Sequence, residues 1–216
     1  MAQPRDSQSQ GSEFVTALIR AVSETEAAPL SDETVNKLAM HYRMLSAWNS
    51  RLNLTRIVQP NDAARLHYAE SIYAGRFIGT AKTLLDVGSG AGFPAIPLAV
   101  TNPALDVIAL ESNQKKSVFL REVKDALELA NLRVVQARLE EFDWSGYDVV
   151  TSRALDRAAD VYPEMIARLR SASSLMLFCG GEMATLLGHS LPPGVRAETH
   201  IVPGTDDRFI ILFHRS

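Results

Sequence analysis

Apolar residues fall into two regimes along this 216-residue chain. Before residue 83 they recur at helical spacing. Ser31-Asp32-Glu33 supplies a capping hydroxyl and an acidic first turn, and Val35, Leu38, Ala39, Tyr42, Leu45 and Trp48 follow on one face. Asn61-Asp62 can cap a further helix carrying Ala64, His67, Tyr68 and Ile72. Between the two, residues 48–55 are polar and asparagine-rich and read as a connecting turn. Residues 1–12 repeat Gln and Ser and read as a mobile tail, which leaves residues 13–82 as an N-terminal helical extension.

From residue 83 onward, short β-rich runs alternate with helical ones. The pattern predicts strands over 83–87, 107–110, 133–136, 148–151 and 175–178, with helices over 94–100, 114–129 and 157–169 between them. Such alternation implies an α/β fold with a mainly parallel sheet and right-handed crossovers. The end of the chain changes character: 194–202 and 208–213 flank Pro203-Gly204-Thr205-Asp206-Asp207 and read as an antiparallel hairpin, giving seven strands in all. Residues 83–216 would form one domain, packed as a unit with the extension.

Composition narrows the class. At 46% hydrophobic residues the chain can bury one substantial core. Cys179 is the only cysteine, which excludes an intramolecular disulfide and any metal site built from several thiolates of this chain. No apolar run approaches the roughly 20 residues of a membrane span, and the first ten residues lack the apolar core of a signal peptide, so a soluble cytoplasmic protein is expected. The net charge of −3 hides an asymmetry: residues 32–82 hold seven Lys and Arg against four Asp and Glu. Arg43, Arg51, Arg56 and Arg65 in that segment suit RNA contact, or form a solvated helix face.

The most specific motif is Thr83-Leu84-Leu85-Asp86-Val87-Gly88-Ser89-Gly90-Ala91-Gly92-Phe93-Pro94, a strand, a glycine turn and a helix start. A dinucleotide fingerprint reads G-x-G-x-x-G. Here the glycines alternate, and Phe93 stands where the third glycine of that fingerprint would be. Asp86 at the strand end would repel a phosphate and attract the ammonium of an amino-acid moiety. This D-x-G-x-G-x-G loop resembles the first motif of Rossmann-like S-adenosylmethionine-dependent methyltransferases, whose parallel sheet ends in an antiparallel hairpin.

Other candidates follow the strands. Glu111, 23 positions beyond Gly88, is placed to accept hydrogen bonds from ribose hydroxyls, a role that does not separate S-adenosylmethionine from NAD. Ser112 supports it or caps the next helix. Leu139 and Glu140, after the third strand, lie where such folds hold an adenine edge, although Glu140-Glu141 also reads as a solvated helix start. Thr151-Ser152-Arg153-Ala154 closes the fourth strand. Arg153 suits a phosphate, a guanine O6 edge or a methionine carboxylate, or is a surface arginine beside a Ser152 cap. The Asn/Asp-Pro-Pro-aromatic motif of exocyclic amine methylation is absent, and Cys179 lacks the Pro-Cys setting of base C5 methylation. Guanine N7 needs neither, because it presents an in-plane lone pair with no proton to remove.

Together, Ala47-Trp48-Asn49, Asn53-Leu54-Thr55, His67-Tyr68-Ala69-Glu70-Ser71, the loop from Leu85 to Leu98, and Ser152-Arg153-Ala154 resemble the bacterial 16S rRNA (guanine-N7) methyltransferase G family, also called the glucose-inhibited division protein B family. The resemblance runs from about residue 32 to the end. It implies S-adenosyl-L-methionine as methyl donor, no metal, 16S rRNA or the small ribosomal subunit as partner, and N7 of guanine 527 in the usual rRNA numbering as acceptor. It places Gly88, Phe93, Leu139, Glu140 and Arg153 around the donor, where the loop and strand-end readings add Gly90 and Glu111, with Arg153 positioning the reactants; a monomer is expected. Arg43, Arg51, Asn53, Arg56, Arg65 and Arg208 are the candidate RNA contacts. Three departures stand out: Glu70 where the family usually has Asp, Ala95 where it has a second glycine, and Cys179-Gly180 in place of Lys-Gly. A small-molecule methyltransferase, an NAD-linked oxidoreductase and a non-catalytic S-adenosylmethionine-binding module are the competing readings.

Overall fold

The computed structural model describes residues 4–25, 27–153, 158–171, 173–188 and 191–215. Helices α1 (Pro4–Ser23) and α2 (Asp32–Leu52) open the chain. A continuous helical stretch follows, made of α3 (Pro60–Ala63), a π-helical segment (Ala64–Ala69), α4 (Glu70–Ala74) and a 3-10 turn (Gly75–Phe77). The alternating part comprises β1 (Thr83–Val87), α5 (Ala95–Thr101), β2 (Asp106–Leu110), α6 (Gln114–Ala126), β3 (Leu132–Val135), β4 (Val149–Arg153), α7 (Ala158–Ala167), β5 (Ser174–Cys179) and α8 (Gly181–Gly188). Strands β6 (Val195–Ile201) and β7 (Phe209–Arg215) finish it.

The seven strands form one sheet in the order β3-β2-β1-β4-β5-β7-β6. The first five pair in parallel, and β7 is antiparallel to both β5 and β6, as the strand pattern and the closing hairpin predict. Both faces are covered, so successive side chains of each strand enter different cores. Leu84, Val107, Ala109, Val149, Met176 and Ile210 meet α1, α2, α5 and α6. Leu85, Ile108, Val150, Leu177 and Ile211 meet Tyr162, Met165 and Ile166 of α7 and Leu187 of α8.

Several local readings are corrected. The helix α1 occupies residues that composition assigns to a tail, beginning at Pro4; residues 1–3 lie outside the described residues. Its polar first half conceals a stripe at Phe14, Ala17, Leu18, Ala21 and Val22, all buried in the first core. The turn read over 48–55 is mostly helix: α2 runs to Leu52 because Trp48 and Leu52 pack on that core. Asn53 then stops it in the left-handed conformation, φ 49° and ψ 49°, with its N–H on the Asn49 carbonyl. The Asn61-Asp62 cap is not used. Pro60 starts that helix instead, its fixed torsion suiting the first turn, and Gln59 before it makes no side-chain cap. The short helix α8 goes unread because glycines bracket it and only Leu187 is buried.

Phe14 ties the extension together. Its ring stacks on Tyr42 at 4.3 Å and meets the edge of Tyr68 at 4.8 Å, joining α1, α2 and the π-helical segment. Phe14→Ala should cost about 3–5 kcal/mol, the usual range for emptying a buried aromatic site. Urea unfolding followed by far-UV and near-UV signals checks this. Coincident transitions, both moved to lower urea, are expected if extension and sheet unfold together, and a separate early transition would show that they do not.

Candidate active site

Strand order reverses between β1 and β4, and at such a switch point the carboxyl ends of parallel strands open a crevice for ligands. The glycine loop leaves β1 there. Gly88, Gly90 and Gly92 have φ of 75°, 53° and 92°. The Gly88 and Ser89 amides donate to the Leu110 carbonyl at 2.8 and 3.1 Å, which moors the loop on the end of β2. A Cβ at Gly92 would collide with Ile96, while at Gly90 it would meet only the Gly88 oxygen at 3.7 Å. Glycine is therefore needed at 92 for packing, and at 90 it leaves the backbone open to a ligand.

Two buried acids flank the loop with opposite fates. Glu111 accepts from the Gly90 amide at 2.9 Å and from the Asn113 amide at 2.8 Å, so one carboxylate orients both the loop and the start of α6. That helix is capped by Asn113, whose side chain accepts from Lys115 and Lys116, and not by Ser112. Two bonds leave a carboxylate with further lone pairs for ligand hydroxyls. Asp86 is fully buried, and neither oxygen has a partner at full hydrogen-bond geometry; the nearby Ser89 hydroxyl and Ala95 amide give it only partial support. Burial pushes its pKa up to about 7. A buried carboxylate left unsatisfied beside an open glycine loop is placed for a cationic ligand group.

The residues of the scattered motifs form a single chain of bonds. The Asn49 side chain brackets the backbone of Thr55, donating to its carbonyl at 3.0 Å and accepting from its amide at 2.9 Å. The Thr55 hydroxyl lies 2.9 Å from His67 Nε2, and His67 Nδ1 lies 2.6 Å from Arg153 Nη2. A guanidinium only donates, so Nδ1 accepts and the ring hydrogen sits on Nε2, pointing at Thr55. Burial, reinforced by the charges of Arg153 and Arg208, holds the His67 pKa well below its ordinary value, which keeps the ring neutral. Arg153 then pairs with Glu70 at 3.0 Å, and Glu70 takes two bonds from Arg208 at 2.9 and 3.1 Å. Both guanidiniums also donate to the Leu66 carbonyl, at 2.9 and 3.3 Å.

Arg153 is thus neither a surface arginine nor a neighbour of a helix cap. Its side chain is 9% exposed, lies 5.7 Å from the Phe93 ring centre and is held by Glu70, while Ser152 is a strand residue bonded to the Val87 carbonyl. Ala154, the last residue of that motif, lies outside the described residues. Phe93 itself is stacked on His67 at 4.5 Å and meets Tyr68 edge-on at 4.9 Å. Leu139 and Glu140 sit on a 3-10 turn after β3, Leu139 half-buried and Glu140 exposed.

Arg43, Arg51, Asn53 and Arg56 are all exposed, and Arg43 and Arg51, two helical turns apart, share one face of α2. Arg65 donates to the Gly204 carbonyl at 2.8 Å, and Arg208 is 31% exposed but engaged with Glu70. Cys179 pairs with Phe209, so the cation at this end of β5 is the adjacent Arg208; burial raises the thiol pKa to about 11, which keeps it protonated. Among the described residues no group of three or more His, Cys, Asp or Glu could hold a metal, and no helix is long and apolar enough to cross a membrane. Sequence reasoning missed His41, whose Nε2 lies 3.0 Å from the Ala91 carbonyl of the loop. Its signal was a polar residue at position 41 of the apolar stripe 38-41-42-45, which must find a buried partner.

Glu70→Gln removes the carboxylate shared by Arg153 and Arg208 and leaves Arg153 charged and buried without it. A loss of about 3–5 kcal/mol is expected in urea unfolding. Glu70→Asp keeps the charge, shortens the reach and should cost less; equal losses for both variants would argue against the charge as the cause.

Comparison with known proteins gives the site a context. The chain matches the family described as rRNA small subunit methyltransferase G over residues 34–186. It is 36% identical over 195 residues to the ribosomal RNA small subunit methyltransferase G of Xanthomonas campestris pv. campestris, covering 88% of this chain and 91% of the relative. The protein of the same name from Methylobacillus flagellatus is 34% identical over 186 residues, covering 85% and 90%. Among solved structures, an O-methyltransferase from Bacillus cereus in complex with SAH superposes with a TM-score of 0.56 at 16% identity, covering 82% of this chain and 91% of that one, a likeness of fold. By sequence, fold and the residues gathered at its switch point, the chain belongs to the rRNA small subunit methyltransferase G family, a family of S-adenosylmethionine-dependent enzymes.

Proposed function

We propose that this protein transfers the methyl group of S-adenosylmethionine to N7 of a guanine in 16S rRNA, guanine 527 in the usual rRNA numbering, in the cytoplasm. The observation that carries the reading is the unpartnered Asp86 carboxylate buried beneath a glycine loop open at Gly90. An amino-acid ammonium supplies the missing partner for Asp86, and the remaining lone pairs of Glu111 suit ribose hydroxyls. Gly88 and Gly90 let the donor approach the main chain, and the half-buried Leu139 offers an apolar edge for adenine.

When bound, the donor supplies a sulfonium-activated methyl group. The N7 lone pair forms the new bond to carbon, the sulfur keeps the electron pair of the old one, and the positive charge moves to the base. No proton is transferred, so the site has no need of a general base. Its task is alignment and charge compensation. Arg153 contributes as a rigid element at the end of β4, and Glu70 offsets its charge next to a ring that becomes cationic. The exposed Arg43, Arg51 and Arg56 suit RNA phosphates, with a salt-dependent contribution to affinity.

Nucleoside mass spectrometry of 16S rRNA from cells lacking the protein should find 7-methylguanosine lost at the proposed position; persistence at the wild-type level would refute the assignment. Asp86 makes a second prediction. Its raised pKa means that the folded protein holds this proton more tightly than the unfolded chain, so stability is lost as pH rises through about 7. Without ligand, Asp86→Asn should therefore melt above wild type at pH 8, and the gap should narrow at pH 5 and close only below about pH 4, the range of an unfolded Asp. Donor affinity should follow the opposite course, since only the carboxylate pairs with an ammonium: wild-type binding should weaken below pH 7, and the Asn variant should bind weakly at every pH.

A further inference from the structure

The glycine loop has restraints from its own sheet, at Leu110 and Glu111, and one that comes from outside it. His41 of α2 is fully buried, with Nε2 at 3.0 Å from the Ala91 carbonyl and Nδ1 at 3.0 Å from the Tyr68 hydroxyl. Burial lowers its pKa to about 3, so the ring is neutral and carries one hydrogen. A carbonyl only accepts. The hydrogen therefore sits on Nε2 and donates to Ala91, and Nδ1 accepts from Tyr68. A directional relay runs from the Tyr68 hydroxyl through His41 to the loop.

Ala91 lies between Gly90 and Gly92, both at positive φ and both without a Cβ to restrict them. The loop also closes on itself, with the Gly92 and Phe93 amides on the Ser89 carbonyl, the latter at 3.3 Å, and the His41 bond adds a hold on the Ala91 carbonyl, which those bonds do not engage. The same side chains hold the next residue: Phe93 lies 5.2 Å from the His41 ring and 4.9 Å from Tyr68.

We propose that His41 and Tyr68 are positioning residues for the methyl donor, a relay by which the helical extension sets the conformation of the glycine loop before the donor arrives. The inference rests on reading that loop as the S-adenosylmethionine site. Its energetic content is preorganisation: with the relay intact, binding does not bear the cost of ordering Ala91. Loss of the relay weakens ground state and transition state alike, so it raises KM and leaves kcat at saturating donor unchanged.

The test compares three variants by equilibrium dialysis with labelled S-adenosylmethionine and by steady-state methylation of small subunits. His41→Leu keeps volume and removes the donor to Ala91; Kd and KM should rise about fivefold to tenfold, the scale of one net hydrogen bond, with kcat within about twofold. His41→Gln places an amide N–H near the position of Nε2 and should restore binding to within about twofold. Tyr68→Phe deletes only the hydroxyl, and an increase in Kd of about threefold is expected even where His41→Leu fails to fold. The proposal is overturned if folded His41→Leu binds as tightly as wild type, if His41→Gln is as weak as His41→Leu, or if Tyr68→Phe changes nothing. Wild-type protein that binds no S-adenosylmethionine would overturn the underlying reading of the loop as well.

Discussion

The Glu70 carboxylate is the tie on which the arrangement of the site depends. It is 2% exposed, sits at the start of α4, and receives guanidiniums from the end of β4 and from the residue preceding β7. Taking Glu70 and Arg153 out of water is costly, and the cost is met only in a geometry where each finds its counterpart. A small shift of α4 would unpair Arg153 and Arg208 together. The π-helical segment makes the fit possible: the Glu70 amide reaches back five residues to the Arg65 carbonyl, and in this widened turn the Leu66 carbonyl accepts from both guanidiniums. The extension is thereby locked to the end of β4 and to the residue preceding β7.

From that tie the order of the site spreads in both directions. Arg153 fixes His67 as a neutral ring with its hydrogen on Nε2, and His67 in turn holds Thr55 and stacks on Phe93. The loop after β1 is thus approached from the sheet by Glu111 and from the extension by aromatic contacts. Asp86 is an acid of this region left without a partner at full hydrogen-bond geometry, and its cost is borne by the packing around it. Such an unsatisfied group is tolerable in a fold when a ligand removes the penalty, which turns a local loss of stability into affinity for a cation.

The strand pattern was legible because period-two alternation and short apolar runs respond to the same burial that forms the sheet; β1 matches residue for residue, and the other strands are offset by one or two positions. The glycine loop was legible because positive φ leaves a mark on composition. Less legible was anything decided by side chains meeting across long separations. Nothing local in Arg153 or Arg208 announces that a single carboxylate holds both, so Arg208 reads as an RNA contact although Glu70 engages it. Asn53 reads as a recognition residue, and its backbone shows a further constraint, the left-handed stop of α2. Helix α1 escaped because its Gln- and Ser-rich beginning outweighs a short stripe that becomes meaningful only when Phe14 has Tyr42 and Tyr68 to stack on.

A glycine-rich loop creates a physical problem that the sequence around it solves. The torsions that admit a ligand to the main chain are costly in entropy to fix, and the sheet bonds to the loop at Gly88, Ser89 and Gly90. The Ala91 carbonyl and the Phe93 ring lie beyond those bonds, and they are what the extension contacts through His41, Tyr68 and His67. In the proposed reaction no proton moves and no covalent intermediate forms, so rate depends on how closely two bound groups are held in line. For such chemistry the rigid surroundings of the loop matter because they hold the donor site in its binding conformation before the donor arrives. That accounts for why residues as far apart in the chain as Asn49, His67, Glu70, Arg153 and Arg208 act as one assembly: each fixes a neighbour that the loop or its substrate needs fixed.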